Sequence, residues 1–494
     1  MTSRRSLPPG SRGLRLSDTP LYSIVVASQG EAARLHTLLA ALVPVCRDRG
    51  AEVVAVRACS TDEFRDWQRG YPSVLWMPAP DTATAKQLRV AGLTACEGDI
   101  VALVSDAIAN DEAALAGLLA GQAAPAGGRV GRPELSVVIP SHQSMHRLRR
   151  CLEAIEASEG ETGAREIVVV DDASTDESSL VAAEFADVVV RLAGKAHGPA
   201  FARNRGFEAS HGDVVVFVDA DVVLHPDSLA RIAADFRADP ALGAVFGSYD
   251  AEPEAAGTFS EYRHLRLHFT HQRRGGPSDT FWTGIGAVRS DVFAGVGMFD
   301  EWAYARPKLE DVELGQRLRR FGHSIRLDPA VQGTHLNRWT LGSSVATGFR
   351  AAALTIAARA QRAPTGTEGA SGFFALVGVA LVIVGCLTGR PALAAEGALA
   401  FLIAVLLDLP FYAYLARARG AAFLAAAIPL QLLHDGALAL ATAAGWVAHH
   451  LLGEPAPPAD VSAHAQLGVP TWPPPPRRPA PRAPERRGSA DAGR

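Results

Sequence analysis

The chain has 494 residues, of which 48% are hydrophobic and 20% are charged, and its formal net charge at pH 7 is -4. This length is sufficient for several domains, and the apolar content excludes a chain that is disordered throughout. The weakly acidic balance argues against a dedicated nucleic-acid-binding protein, which usually carries a basic patch or a high isoelectric point. We therefore expect no nucleic-acid partner.

The five cysteines are dispersed and form no C-x-x-C pattern. Their odd number and spacing predict neither a disulfide framework nor a structural zinc site, and they favour a reducing compartment. Residues 1–20 are polar and rich in Arg, Ser and Pro, which predicts a flexible N-terminus. The apolar run that follows, 21–27, is too short for a signal peptide, so none is expected.

Two blocks of alternating strand-like and helical segments come next. We expect an accessory domain at 21–120, a linker at 121–133 and a larger domain at 134–350. Short motifs recur between the two blocks at a constant offset of 114 residues. The recurring pairs are Ser60-Thr61-Asp62-Glu63 with Ser174-Thr175-Asp176-Glu177, Gly98-Asp99 with Gly212-Asp213, Arg89 with Arg203, and Gly92 with Gly206. The repeat predicts that the first block is a partial copy of the front half of the second.

The first block lacks the acidic pairs of the second. Where the second has Asp171-Asp172, the first has Arg57-Ala58, and Ser105-Asp106-Ala107 takes the place of Asp219-Ala220-Asp221. The apolar strands are kept while the paired acids are lost, so we expect a degenerate, non-catalytic accessory domain. A working second site with different chemistry is the alternative.

Acidic residues follow buried strands in the second block. The apolar run 167–170 leads into Asp171-Asp172, and 214–218 leads into Asp219-Ala220-Asp221. Continuous Val/Ile runs that alternate with helices predict an α/β fold with a mostly parallel sheet, whose ligands bind beyond the carboxyl ends of the strands. Two carboxylates in this position suit a divalent Mg²⁺ or Mn²⁺ ion that bridges to a diphosphate.

Together these segments resemble the family 2 glycosyltransferases of the glycosyltransferase-A fold. The matching segments, in the family's order, are 138–141, 170–176, 198–206, 218–221, 284–300 and 309–314. The resemblance covers roughly residues 134–350. It implies a Rossmann-like catalytic domain that transfers a sugar from a nucleotide-sugar donor and inverts the anomeric centre.

The resemblance also assigns the donor site. Five residues would bind the nucleotide-sugar: Pro140, Ser141 and Asp172 at the base, Arg203 at the nucleotide or its phosphates, and Asp219 at the ribose and the metal. Asp221 would be the principal ligand of the Mg²⁺ or Mn²⁺ ion, which stabilises the departing diphosphate. His335 would reach the same metal or the diphosphate, and a structural histidine is the alternative.

On the acceptor side, Asp311 of the Glu310-Asp311 pair would be the general base that deprotonates an acceptor hydroxyl. A positioned carboxylate of this kind contributes typically about 10²–10⁴-fold in rate. By family position, Trp282 and Gly284 would border the acceptor site, and a packed turn is the alternative.

The segment 335–339 takes the place of the Gln-x-x-Arg-Trp motif of processive family members. It keeps Arg338 and Trp339, but histidine replaces the glutamine, which puts processivity in doubt. An aromatic anchor at the membrane interface is the alternative for Trp339.

The C-terminal part is rich in long apolar segments. Residues 372–389 and 397–416 are long enough for spans, since about 20 apolar residues cross a bilayer. Residues 421–452 would form one kinked span or a hairpin, so 372–452 predicts an all-α transmembrane region of about three to four helices. An amphipathic or linker segment at 351–371 would precede it, and a disordered Pro/Arg-rich tail at 453–494 would follow it.

Arg417 and Arg419, with the arginine-rich tail, predict a cytoplasmic catalytic domain in a multi-pass protein of the cell (inner) membrane. The expected activity is inverting transfer from a nucleotide-sugar, with UDP as the family-level expectation, to a hydroxyl of a lipid-linked or cell-envelope glycan acceptor. Membrane lipids would be further partners. The alternatives are a polyprenyl-phosphate sugar synthase and a non-catalytic membrane scaffold, with a nucleotidyltransferase or a transporter less favoured.

Overall fold

The computed structural model describes residues 22–110, 134–158, 165–301, 310–340, 342 and 367–452. The predicted flexible N-terminus, the linker 121–133 and the tail 453–494 lie outside the described residues, as does most of the predicted segment 351–371. All five cysteines are free, as the sequence predicts.

The first part of the chain alternates strands and helices. Its elements are β1 (Tyr22–Ser28), α1 (Ala32–Arg49), β2 (Glu52–Ala58), α2 (Thr61–Gly70), β3 (Leu75–Ala79), α3 (Ala85–Ala95) and β4 (Ile100–Ser105). The strands are apolar runs whose middle residues are mostly buried, which suits strands covered on both faces. They pair in parallel in the order β3-β2-β1-β4.

The second part repeats this arrangement. It continues with β5 (Leu135–Ser141), α4 (Met145–Glu156), β6 (Arg165–Asp172), α5 (Ser178–Phe185), β7 (Val188–Leu192), α6 (Pro199–Glu208) and β8 (Val214–Val218). These strands are also parallel, in the order β7-β6-β5-β8. The element order and the strand order of the two parts are therefore the same.

Further elements extend the sheet beyond β8. They are β9 (Val222–Leu224), α7 (Ser228–Ala238), β10 (Leu242–Tyr249), α8 (Thr258–Arg273), β11 (Gly276–Pro277), β12 (Ile285–Arg289), α9 (Ser290–Gly295), α10 (Glu310–Arg320) and β13 (Ser324–His335). β12 lies antiparallel between β8 and β10, and β10 pairs in parallel with β13. The predicted α/β fold with a mostly parallel sheet is confirmed.

The two parts share one sheet of thirteen strands. β4 pairs antiparallel with β7, with Val101 opposite Val189. Arg191 of β7 reinforces the junction, because its guanidinium donates to the carbonyl oxygens of Gly98 at 3.1 Å and Cys96 at 3.1 Å. The residues predicted as an accessory domain therefore cover the edge of the sheet next to β7.

Three helices form the C-terminal region: α11 (Thr367–Thr388), α12 (Pro391–Leu407) and α13 (Leu409–Leu452). The segment 397–416, predicted as one continuous span, is divided in the structure, because the chain bends at Asp408 between α12 and α13. Pro410 lies in the first turn of α13, where its missing N–H costs no hydrogen bond. Of the two alternatives predicted for 421–452, one kinked segment or a hairpin, the structure excludes the hairpin, since α13 is interrupted at Gly420 (φ +85°) and is helical from there to Leu452.

Only one of the described helices, Ala370–Thr388, is by itself long and apolar enough to cross a membrane. A second crossing would need Pro391–Leu407 and Leu409–Ala437, bent by 57°, to act together. A multi-pass region of three to four spans is therefore not supported within the described residues.

The C-terminal region packs on the sheet domain through α8. Tyr262 Oη donates to Gln431 Oε1 at 2.7 Å, and the Tyr262 ring lies 6.1 Å from that of Phe411. Arg419 donates to Glu261 Oε2 at 3.3 Å and to the carbonyl oxygen of Ala251 at 2.8 Å. This contact joins α13 to the same helix that passes beside the acidic strand ends.

Candidate active site

The predicted acidic residues come together at one edge of the sheet. Asp172 ends β6, the Asp219-Ala220-Asp221 segment follows β8, and the Glu310-Asp311 pair begins α10. β6 and β8 both pair in parallel with β5, so their carboxyl ends face the same way. This is the edge at which ligands bind in open α/β sheets.

The guanidinium of Arg203 joins two of these acids. It donates to Asp219 Oδ1 at 2.7 Å and to Glu310 Oε1 at 2.9 Å. Burial alone would lower the pKa of Arg203, but the two carboxylates raise it above its ordinary value. The ion pairs hold α6, β8 and α10 together, and contact between Arg203 and the nucleotide stays a prediction.

Asp311 lies beside Glu310, and no ion pair engages it among the described residues. Its Oδ1 accepts a hydrogen bond from the backbone N of Val312 at 2.8 Å. Burial, together with the negative charge of Glu310, raises the pKa of Asp311 to about 7. A carboxylate with this pKa is suited to accept a proton near neutral pH, as a general base must.

Asp172 fastens the start of α6. Its carboxylate accepts from the backbone N of His197 at 2.9 Å, from His197 Nδ1 at 2.9 Å and from the backbone N of Gly198 at 2.8 Å. Burial would raise the pKa of Asp172, but these hydrogen bonds lower it below its ordinary value. Asp172 is therefore ionised at neutral pH, and its contact with the nucleotide base stays a prediction.

Asp221 is held by the segment that follows β13. Asn337 Nδ2 donates to Asp221 Oδ2 at 2.6 Å, and the backbone N of Leu336 donates to the Asp221 carbonyl oxygen at 2.9 Å. His335 Nε2 lies 3.6 Å from Asp221 Oδ2. Burial would raise the pKa of Asp221, but His335 and Asn337 lower it, so this carboxylate is ionised.

Behind His335 lies a cluster of rings. His335 Nδ1 is 2.9 Å from His264 Nε2, and His264 Nδ1 is 2.7 Å from the carbonyl oxygen of Ser260. Burial lowers the pKa of His264 to about 4, so its imidazole is neutral. The His264 ring stacks on Trp339 at 4.3 Å with an angle of 19°, and Tyr249 lies 4.7 Å from His335. Trp339 is thus a packing partner of the site.

Gly284 lies next to Asp219, whose backbone N donates to the Gly284 carbonyl oxygen at 3.4 Å, and Trp282 packs against Gly284. A Cβ on Gly284 would be 2.3 Å from the Trp282 ring, so only glycine lets this ring lie against the chain. The ring also meets Tyr249 edge to face at 4.6 Å. The two predicted acceptor-side residues therefore contact each other, and their contact with an acceptor stays a prediction.

The remaining predicted residues lie on the rim. Pro140 and Ser141 end β5, where Ser141 is opposite Asp171 of β6 and its Oγ is 2.8 Å from Ser144 Oγ. Arg338 is exposed. The structure thus brings the donor-side loop of β5 to the same edge as the acids, while Arg338 faces outward.

Within the residues that the structure describes, no three His, Cys, Asp or Glu side chains are arranged to hold a metal by themselves. Asp221 and His335 nevertheless direct a carboxylate oxygen and an imidazole nitrogen at each other, while Asp219 is engaged by Arg203. Mg²⁺ is usually bound by one or two carboxylates plus substrate phosphates and water. The donor set therefore fits a divalent cation that a diphosphate helps to hold.

Residues 136–296 match the family described as Glycosyl transferase family 2. The chain contains a family 2 glycosyltransferase domain. The matched range includes Asp172, Arg203, Asp219 and Asp221, whereas Asp311 lies beyond it.

Curated relatives agree with this assignment. The chain is 27% identical over 217 residues to the probable glycosyltransferase YdaM of Bacillus subtilis, covering 40% of this chain and 50% of that protein. It is 29% identical over 221 residues to the pre-mycofactocin glycosyltransferase of Mycobacterium tuberculosis, covering 43% and 45%. The chain thus spans about half the length of each of these relatives.

Among solved structures, the chain is similar to the mannosyltransferase PcManGT from Pyrobaculum calidifontis in complex with GDP-Man and Mn²⁺. The TM-score is 0.39 and the identity is 20%, over 65% of this chain and 88% of that one.

The corresponding strand ends of the first part are filled by a hydrogen-bonded network. Arg57 donates to Ser28 Oγ at 2.7 Å, to the Gly30 carbonyl oxygen at 3.0 Å and to Glu63 Oε1 at 2.8 Å. Ser28 Oγ and the backbone N of Gly30 in turn donate to Asp106 Oδ2, at 2.6 Å and 3.0 Å. Ser28, Arg57 and Asp106 are all buried. The polar groups at these strand ends therefore form hydrogen bonds with one another.

Sequence reasoning missed three polar residues of the candidate site. Asn337 stands inside the 335–339 segment but had no role, although an amide two residues after His335 was a usable signal. His197 immediately precedes the 198–206 segment. His264 lies in a helix without a motif, so only the fold reveals it.

Proposed function

We propose that this chain is a metal-dependent, inverting glycosyltransferase that transfers a sugar from a nucleotide-sugar to an acceptor hydroxyl. The observation that carries the proposal is the division of labour in the Glu310-Asp311 pair. Glu310 is committed to Arg203, so Asp311 is the member left to act as base. Its raised pKa, about 7, suits that role.

In the proposed reaction, Asp311 accepts the proton of the acceptor hydroxyl while the hydroxyl oxygen attacks the anomeric carbon. A new glycosidic C–O bond forms, and the bond from the anomeric carbon to the diphosphate oxygen breaks. The electron pair of that bond leaves with the nucleoside diphosphate. Attack from the face opposite the leaving group inverts the anomeric centre.

Asp221 and His335 would hold the divalent cation, with the diphosphate completing its ligands. Such an ion stabilises the negative charge of a leaving diphosphate. Asp219 would act beside it through its ion pair with Arg203, which keeps the strand end ordered.

We further propose that α11 anchors the enzyme at the cell membrane. Only 28% of its apolar stretch within Ala370–Thr388 is buried in the structure. Three large apolar side chains are exposed: Phe373 at 59%, Ile383 at 52% and Leu387 at 81%. Exposed apolar surface of this kind is typical of a lipid or protein contact. A lipid-linked acceptor would then be delivered from the same bilayer.

The orientation follows from Arg419. Its guanidinium contacts α8 and the residues before it, so this end of α13 lies on the side of the glycosyltransferase domain. Since arginines near membrane segments favour the cytoplasm, we propose a cytoplasmic active site.

We propose that residues 21–120 are a degenerate, non-catalytic copy of the front half of the domain. The shared strand order supports it. The close packing of two glycines at equivalent positions also supports it. A Cβ on Gly92 would lie 2.1 Å from Val25 Cγ1, and a Cβ on Gly206 would lie 2.3 Å from Val138 Cγ1.

A polyprenyl-phosphate sugar synthase is the second candidate, because a membrane anchor fits it equally well. Its acceptor phosphate is already an anion and needs no base. Retention of full activity in Asp311→Asn would favour this candidate over transfer to a hydroxyl.

The test is donor hydrolysis by the full-length protein in detergent, with UDP-, GDP- and dTDP-sugars, in the presence and absence of Mn²⁺. We expect one nucleotide class to be hydrolysed only with metal, and Asp221→Ala to abolish the reaction. Asp227→Asn is the matched control and should behave like the wild type, because Asp227 is a partly exposed acid that immediately precedes α7 and pairs with Arg231. No hydrolysis and no binding of any donor would contradict the proposal and leave a membrane scaffold.

A further inference from the structure

The tautomer of His264 is defined by its hydrogen-bond partners. Its Nδ1 lies 2.7 Å from the carbonyl oxygen of Ser260, which can only accept, so Nδ1 carries the proton. With Nδ1 engaged in this way, the other ring nitrogen, Nε2, is the one left to accept a hydrogen bond. That acceptor is directed at His335.

The contact with His264 also determines which nitrogen of the His335 ring donates. His335 Nδ1 lies 2.9 Å from His264 Nε2, so His335 must donate from Nδ1. Its Nε2 lies 3.6 Å from Asp221 Oδ2. When a divalent cation is bound, Nε2 would offer its lone pair to that cation beside the Asp221 carboxylate, with Nδ1 donating to His264.

Packing fixes the orientation of His264 as well. Its ring stacks on Trp339 at 4.3 Å. Its helix, α8, is tied to the C-terminal region through the Tyr262–Gln431 hydrogen bond of 2.7 Å. Ring rotation would break both the stacking and the Ser260 hydrogen bond.

We infer that His264 is a positioning residue, which holds His335 in the tautomer and orientation that bind a divalent cation together with Asp221. The inference rests on the proposed function, since it takes Asp221 and His335 as metal ligands. Metal-ligating histidines generally donate their second N–H to a partner of this kind, and losing that partner typically lowers metal affinity about 10–100-fold.

The test measures Mn²⁺ binding by electron paramagnetic resonance on the full-length protein, with and without UDP. In His264→Phe the ring and its stacking remain but the acceptor is lost, and we expect Mn²⁺ affinity to fall about 10–100-fold. His264→Gln places an amide oxygen near the position of Nε2 and should restore most of the affinity. The Asn side chain of His264→Asn is too short to reach that position, so this variant should not restore the affinity.

His271→Phe is the matched control. His271 lies on the same helix, half-buried against Trp282, and the structure shows no hydrogen bond from it to His335 among the described residues. Its Mn²⁺ affinity should equal that of the wild type. If His264→Phe does not fold, the difference in Mn²⁺ affinity between the Gln and Asn variants tests whether His264 acts as the acceptor.

The outcomes separate the two proposals. Wild-type affinity in His264→Phe, or equal losses in the Gln and Asn variants, would overturn the role of His264 while leaving the metal site intact. If the wild-type protein binds no Mn²⁺ with UDP, the proposed metal-dependent function fails, and the role of His264 fails with it.

Discussion

The two parts of the sheet share a framework and differ at the ends of their strands. In both, four parallel strands have the same order, and a glycine on the third helix lets that helix lie against the sheet. In the first part Arg57 closes the strand ends through Ser28 and Asp106. In the second, the corresponding edge carries the carboxyl groups of Asp172 and Asp221, whose pKa values are lowered by their hydrogen-bond partners.

The difference shows that fold and site depend on separate sets of residues. Apolar strands and close-packed glycines are sufficient to keep the framework. A handful of polar residues decides whether the strand ends bind a ligand or each other, because a buried polar group must be satisfied one way or the other. Arg57 directs Nε and Nη1 at groups of its own part of the sheet, namely Glu63, Ser28 and the Gly30 carbonyl oxygen.

Replacing Asp311 by Asn should have the largest effect. The amide cannot accept the hydroxyl proton, so we expect kcat for transfer to fall about 10²–10⁴-fold, with the KM for the donor little changed. Steady-state kinetics with a hydroxyl acceptor measures it, with Asp227→Asn as control. A variant that keeps wild-type kcat would show that the second part owes its activity to something other than this pair.

The pH dependence should come next in size. Asp311 holds its proton below its pKa of about 7, so the base is available only above it. We expect kcat/KM to rise tenfold per pH unit up to about pH 7 and then to level off. A profile that is flat from pH 5 to 8 would contradict the assignment of Asp311 as the base.

Replacing Arg57 by Ala should affect stability rather than activity. The change leaves Ser28 Oγ and the Gly30 carbonyl oxygen without the donor they have in the wild type, while Glu63 keeps its hydrogen bond from Trp67 Nε1. The loss costs about 1–3 kcal/mol of unfolding free energy. Thermal or denaturant unfolding measures that loss, and kcat should remain at the wild-type value. A large fall in kcat with unchanged stability would mean that the first part takes part in catalysis.

Much of the sheet framework was predictable, because short stretches of sequence determine its strands and helices. The Val/Ile runs, the acids that follow them and the 114-residue repeat indicated the parallel sheet and its reactive edge. The β4–β7 pairing was not predictable, since it joins residues nearly 90 positions apart through strands that look alike. The bend at Asp408 was also missed, because hydrophobicity over 397–416 outweighed a single charge and a proline.

Within the site, motif positions indicated Asp172, Asp219, Asp221 and Asp311, but not their partners. Arg203 pairs with Glu310 and not with Asp311 because of how α6 and α10 approach each other, and no motif position indicates that choice. His264 had no sequence signal at all, because its role follows from two hydrogen bonds across elements.

The most direct test of the central claim is the stoichiometry of UDP binding with Mn²⁺, measured by isothermal titration calorimetry on the full-length protein. We predict one UDP-binding site per chain, which is lost in Asp221→Ala and retained in Arg57→Ala. Two sites per chain, or one site that survives Asp221→Ala and disappears in Arg57→Ala, would contradict it.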